Sequence, residues 1–199
     1  SSPSRGLGDV YKRQTINISS PNTDNLRDFH EKGELSNLIK AINKEKKYIN
    51  SEVPIAVKIS PDLTFNQVES VSEILIENNI EIAIISNSTD KNRDTLKNIN
   101  RIEKGGLSGK PIEKITNNVI NSFYKLIGKK ILIIGVGGVD SARGVFEKMT
   151  NGATIVQLYT GMVYKGPKIA LQINEELIKI LDKNGIKNIK EIIGSKKSP

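Results

Sequence analysis

A lysine inside an otherwise apolar run is the first residue of chemical interest: Lys58 in "PIAVKIS", Pro54 to Ser60. An ammonium is costly to bury unless a negative charge meets it. The position therefore suits a bound anion, with a substrate carboxylate and a reduced flavin as candidates. The stretch "NISSPNT" places Asn17, Ser20 and Asn22 at the end of a β-branched run, and "ISNST" places Asn87 and Ser88 at the end of another. Side-chain amides offer donors and an acceptor together, and a hydroxyl can both give and take a proton. "GVGGVDSARG" follows a strong apolar run and opens a helical pattern. At Gly137 and Gly138 a ligand can approach the backbone closely, with amide hydrogens and a helix start turned toward an anion. "YTG", Tyr159 to Gly161, ends the next apolar run and supplies a second set of amides. The pair predicts a phosphate-bearing ligand. No Gly-Lys-Ser/Thr ending follows, so the loop is not a Walker A sequence.

Elements that alternate in period must position these groups. Short Ile- and Val-rich runs, "TINIS", "PIAVKIS", "EIAIISN", "KILIIGVGG" and "ATIVQLYTG", read as strands covered on both faces. Between them lie amphipathic helices. Leu35, Leu38, Ile39 and Ile42 share one face of the first; Phe65, Val68, Val71, Leu75 and Ile76 share one face of the second, which opens with a Thr64–Gln67 capping box. Pro111 suits a first helical turn ahead of Ile112, Ile115, Val119 and Phe123. Asp140 is expected to cap a short helix carrying Val145, Phe146 and Met149, and the last helix uses Ile169, Ile173, Leu177 and Leu181.

Five βα units fit either an open doubly wound sheet or a (β/α)8 barrel. Every strand ends in small polar or glycine residues: Ser19–Ser20, Lys58–Ser60, Ser86–Asn87, Gly135–Gly138 and Tyr159–Gly161. A site drawn from the tips of many strands is the barrel arrangement, whereas an open sheet concentrates its site at one switch point. The expected fold is thus an α/β (β/α)8 TIM barrel represented by about five C-terminal units. Roughly three more units are expected ahead of Thr15, as from a truncated gene.

Composition excludes several classes of function. The 199 residues contain no cysteine and one histidine, so disulfides, thiolate metal sites, a cysteine nucleophile and a His-rich metal centre are all out. No metal site is expected. The net charge of +8 comes from lysines scattered among glutamates, and aromatic residues make up 5%, so nucleic acid is not the expected partner. His30 reads as a loop or helix-start residue without a chemical role. Residues 1–14, "SSPSRGLGDVYKRQ", lack a hydrophobic period and carry three glycine or proline breakers. "DVYKRQ" is similar to a translated adapter from DNA library preparation, so residues 1–14 are set apart as a non-native or disordered tail, and residues 15–199 as part of one barrel domain.

Taken in order, "NISSPNTDNLRD", "VPIAVKISPDL", "ISNST", "GGLSGKPI", "GVGGVDS" and "VQLYTGMVYKGP" resemble the C-terminal half of the class 2 dihydroorotate dehydrogenases, from Thr15 to about Gly194. The resemblance implies an FMN-containing barrel that oxidises dihydroorotate to orotate in pyrimidine synthesis and passes electrons to a ubiquinone-type quinone. It implies Ser20 as catalytic base, with Thr23 in the proton outlet and Lys58 stabilising charge on the flavin. Asn17, Asn22, Asn87 and Ser88 would hold substrate. Asn17, Lys58, Ser86, Gly109, Gly138, Tyr159 and Thr160 would hold FMN, the last three near its phosphate. Related class 1 enzymes and tRNA dihydrouridine synthases depend on a cysteine that this chain lacks; an inactive phosphate-binding barrel fragment is the non-enzyme alternative. The family resemblance also implies a peripheral position on the cytoplasmic face of a bacterial inner membrane, contacted through the region ahead of Thr15. That region would further carry the quinone tunnel, so the isolated piece is expected to be inactive.

Overall fold

A computed structural model describes residues 12–23, 26, 29, 32–91, 93–94 and 96–196. His30 and most of the expected tail lie outside the described residues. Five parallel strands form one sheet: β1 (Gln14–Asn17), β2 (Ile55–Ile59), β3 (Ile82–Ile85), β4 (Leu132–Val136) and β5 (Ile155–Gln157). Between and after them run helices α1 (Lys32–Tyr48), α2 (Phe65–Glu77), α3 (Glu113–Ile127), α4 (Ala142–Thr150), α5 (Thr160–Lys165) and α6 (Ile169–Lys183). Spatial order equals chain order, β1-β2-β3-β4-β5, with every pair parallel. An open doubly wound sheet reverses direction at its switch point; this one never reverses, which is the winding of a barrel wall.

Register decides which side chains share a face. Asn17, Lys58, Ile84, Ile134 and Ile155 stand opposite one another in successive pairs, and one step below them lie Thr15, Ala56, Ile82 and Leu132. Because side chains alternate along a strand, these two rows belong to the same face, the inner wall. Ala56, Ile84 and Ile134 are buried there against one another. The residues between them, Val57, Ala83 and Ile133, face outward into the core beneath α1–α3, with Leu35, Val71 and Phe123. A second outer cluster joins α4 to α6 through Val145, Met149, Ile169, Ile173 and Leu177.

Some local details depart from expectation. Gln14, assigned above to the tail, is the first residue of β1: it pairs with Ile55 and its amide donates to the Pro54 carbonyl at 2.9 Å. Phe65 is 62% exposed, because it occupies the first turn of α2 while the buried face runs through Val68, Val71, Ser72, Ile74 and Leu75. Ser141, not Asp140, caps α4, accepting from the Gly144 amide at 3.2 Å. Asp140 is engaged instead by Lys110 Nζ at 3.3 Å. Pro111 falls in a short 3₁₀ turn, Lys110–Ile112, that leads directly into α3. The Thr64–Gln67 capping box forms with both hydrogen bonds. Among the described residues no helix is long and apolar enough to cross a membrane.

Candidate functional site

All the strand tips open at one end of the sheet, where their loops meet. Asn17 closes β1, and its register partner Lys58 stands beside it on the inner face. Asn87, two residues past β3, reaches across β2 to the β1 tip: its Nδ2 donates to Asn17 Oδ1 at 3.2 Å and to Ser19 Oγ at 3.1 Å. Ser19 Oγ in turn donates to Asn17 Oδ1 at 3.2 Å. Two donors on one oxygen fix the orientation of the Asn17 amide and leave its NH2 to meet a ligand acceptor. Asn87 is held on its own side, since its Oδ1 accepts from the Ser88 amide at 2.9 Å and its backbone amide donates to Ile59 O at 3.0 Å. Ser86 is buried and donates from Oγ to Asn87 O at 3.2 Å.

Lys58 is half-buried, and its pKa is lowered, first by loss of solvent and then by the charge of Arg13. Among the described residues no carboxylate pairs with it. An anion placed against this amine would favour the charged form and relieve both effects. Lys58 opens onto a cleft of about 290 Å³ that continues past Ser86, Gly109 and Gly138 to Tyr159 and Thr160. Gly109 and Gly138 both have positive φ, 78° and 79°. A Cβ at Gly109 would lie 2.8 Å from Thr160 Cγ2, and one at Gly138 would lie 2.6 Å from Glu113 Cα. Thr160 also exchanges a hydroxyl hydrogen bond with Ser108 at 2.9 Å.

Of the residues singled out from sequence, Lys58, Ser86, Asn87, Ser88, Gly109, Gly138, Tyr159 and Thr160 line this one cleft, and Asn17 adjoins it through Asn87. Ser20, Asn22 and Thr23 do not line it. They stand on the loop at its edge, where Ser20 Oγ accepts the Asn22 amide at 3.2 Å. Among the described residues no hydrogen bond joins Thr23 to Ser20. Pro21 and Asn22 border a neighbouring cleft of about 780 Å³ with Arg93 and Gly105. A Cβ at Gly106 would overlap Ser88 and touch Pro21 at 3.0 Å, so the loop after β3 lies directly over the β1 tip. Three contributors were given no role from sequence, although Ser19 was noted at a strand tip. Ser19 and Ser108 look like ordinary loop hydroxyls until their partners are known. Lys148 could have been found, since it interrupts the buried row Val145, Lys148, Met149 at i, i+3, i+4 spacing.

Lys148 is fully buried and its ammonium donates to Thr116 Oγ1 and Asn117 Oδ1, each at 2.8 Å. Burial lowers its pKa to about 8 from 10.5; the Lys110 charge adds to this while Glu113 and Glu147 oppose it. The folded protein therefore releases this proton before the unfolded chain does. Stability from this group is fully present above 10.5 and lost as pH falls through about 8. The unfolding free energy of the native chain, minus that of Lys148→Met, is expected to climb by up to ~1.4 kcal/mol per pH unit between those values and stay flat below them. Urea unfolding across that range checks it; a flat difference throughout would contradict the shift.

The unreversed winding places this chain among the (β/α)8 barrels, as part of one, with its polar rim at the carboxyl ends of the strands. Within that class it belongs to the dihydroorotate dehydrogenase family, whose model matches residues 4–181. That match begins inside the segment set apart above as a tail. The chain is 40% identical over 186 residues to the dihydroorotate dehydrogenase (quinone) of Bartonella henselae, covering 92% of this chain and 51% of that protein. It is 39% identical to the mitochondrial dihydroorotate dehydrogenase (quinone) of Arabidopsis thaliana, covering 90% of this chain and 40% of that protein. The ligand-free crystal structure of the Eimeria tenella enzyme superposes with a TM-score of 0.89 at 29% identity, over 94% of this chain and 56% of that one. The chain thus spans about half the length of the curated relatives it matches.

Proposed function

We propose that this chain forms the carboxyl-terminal half of an FMN-dependent enzyme that oxidises (S)-dihydroorotate to orotate and delivers the electrons to a quinone, in de novo pyrimidine synthesis. The observation that carries the proposal is the cleft joining a half-buried Lys58, which meets no carboxylate among the described residues, and the Asn17–Asn87 amides to a glycine cradle. At Gly138 the place of a side chain is taken by the start of α3, and Gly137, Gly138 and Val139 line the cleft, a backbone-rich wall that suits a phosphate. At the other end a half-buried lysine that meets no carboxylate among the described residues suits the electron-rich edge of an isoalloxazine ring.

Gly138, Tyr159 and Thr160 would hold the phosphate; Asn17, Lys58, Ser86 and Gly109 would hold the remainder. Bound FMN supplies acceptance of two electrons. The chain's own residues do the rest. Asn17, Asn22, Asn87 and Ser88 hold the substrate through amide and hydroxyl donors, fixing which ring carbon faces Ser20. Ser20 Oγ takes the proton from that carbon. A serine hydroxyl is a poor base, so its own proton must leave as the new one arrives, and Thr23 with an ordered water is the outlet. Closure of the loop over the rim keeps bulk water out. Lys58 stabilises negative charge by electrostatics. A quinone partner and a peripheral site on the cytoplasmic membrane face come with the reading by resemblance.

Anaerobic mixing of the FMN-loaded full-length protein with dihydroorotate tests this. Bleaching of the flavin absorbance, followed by its recovery on adding a quinone, is expected. A flavin that stays oxidised with dihydroorotate would refute the reading.

A further inference from the structure

Lys148 takes no part in the chemistry above, yet it is a fully buried ammonium one layer behind the glycine loop. Its chain crosses behind β4 where Gly135 leaves room, since a Cβ there would lie 3.3 Å from Lys148 Cδ. Thr116 Oγ1 accepts from Lys148 Nζ, which commits the oxygen and turns the single hydroxyl proton toward two carbonyls. These are Glu113 O at 3.0 Å and Gly137 O at 3.3 Å. Gly137 sits at φ 106° with Thr116 Cγ2 2.8 Å from where its Cβ would be, so hydroxyl and loop are already in contact. The same ammonium holds Asn117 in the next position of α3. Glu113, at the start of α3, is clamped by Lys110 Nζ at 2.8 Å, and its Oε1 is buried where Gly144 of α4 has no side chain. One cation thereby ties α4, the first turns of α3 and the loop after β4 together.

We propose that Lys148 is a positioning residue for the glycine cradle, acting through Thr116 to hold the Gly137 carbonyl and so to aim the amides of Gly138 and Val139 at a phosphate. The proposal rests on reading that loop as the FMN phosphate site. Lys148 does not touch the ligand; it sets the geometry that the ligand meets.

FMN and riboflavin titrations of the full-length protein, read by flavin fluorescence quenching, test this for Lys148→Met, Thr116→Val and Thr116→Ser. The expected result is an FMN affinity about tenfold weaker in the first two, the scale of one lost hydrogen bond to a fixed carbonyl. Riboflavin, which lacks the phosphate, should change by less than about twofold, and Thr116→Ser should behave as the native protein. Equal losses for both ligands, or unchanged FMN affinity in Thr116→Val, would overturn the proposal. Amide exchange in the ligand-free protein gives a readout independent of flavin binding, and of whether Lys148→Met folds. Faster exchange confined to Gly137–Val139 in Thr116→Val supports the role, and unchanged exchange there overturns it. A native protein that binds no FMN would refute the functional reading instead, and the exchange arm would still decide this one.

Discussion

Replacing Ser20 with alanine is expected to leave FMN binding intact and to slow flavin bleaching by dihydroorotate about 10²-fold or more. Ser20 lies outside the cleft that runs from Lys58 to Thr160, so its loss should not disturb the cofactor. Its hydroxyl is already fixed by the Asn22 amide at 3.2 Å, which occupies one lone pair and leaves another for a substrate proton. Alanine removes the acceptor without changing the loop's length or its proline. Ser20→Cys makes the case sharper: a thiol with an ordinary pKa near 8.5 should give a bleaching rate that climbs as pH approaches that value. Stopped-flow traces in which Ser20→Ala reduces its flavin as fast as the native protein would remove Ser20 from the base position.

Gly138→Ala should abolish FMN retention and destabilise the fold by ~2–4 kcal/mol, for two separable reasons. Its φ of 79° is unfavourable for any side chain, and the added Cβ would sit 2.6 Å from Glu113 Cα and 2.9 Å from Glu113 N. Those are backbone atoms at the start of α3, so the clash cannot be relieved by turning a side chain. Gly166 offers the control. It has the same φ of 79°, with nothing within 4 Å of its missing Cβ. Gly166→Ala should therefore show only the conformational cost, about 1–2 kcal/mol, with FMN affinity unchanged. Urea unfolding and FMN titration of the pair check both parts. Equal behaviour of the two variants would mean that the close approach at Gly138 carries no weight.

Strand and helix periods were legible because the Ile- and Val-rich runs and the Leu35–Ile39 and Val68–Leu75 rows each serve one buried face. Lys58 was legible for the opposite reason, a charge where the pattern demands an apolar residue. Register was not legible. Nothing in "NIS" or "VKI" states that Asn17 and Lys58 stand opposite each other; that follows from hydrogen bonding between strands 41 positions apart. The Asn87 bridge to Asn17, 70 residues away, and the Ser108–Thr160 pair, 52 apart, were hidden for the same reason. Asp140 and Ser141 are both good caps, and only the direction of the chain leaving Gly138 lets Ser141 reach the Gly144 amide while Asp140 meets Lys110. The short helix α5 escaped notice because six residues cannot establish a period.

A crystal structure of the full-length protein with FMN and orotate tests the central claim most directly. The account predicts the phosphate on the Gly138 and Val139 amides beside Tyr159 and Thr160, the ring system against Lys58, and orotate between that ring and the Asn17–Asn87 amides with Ser20 Oγ about 3 Å from its ring. A flavin seated away from Lys58, or an orotate that Ser20 cannot reach with its loop closed, would contradict it.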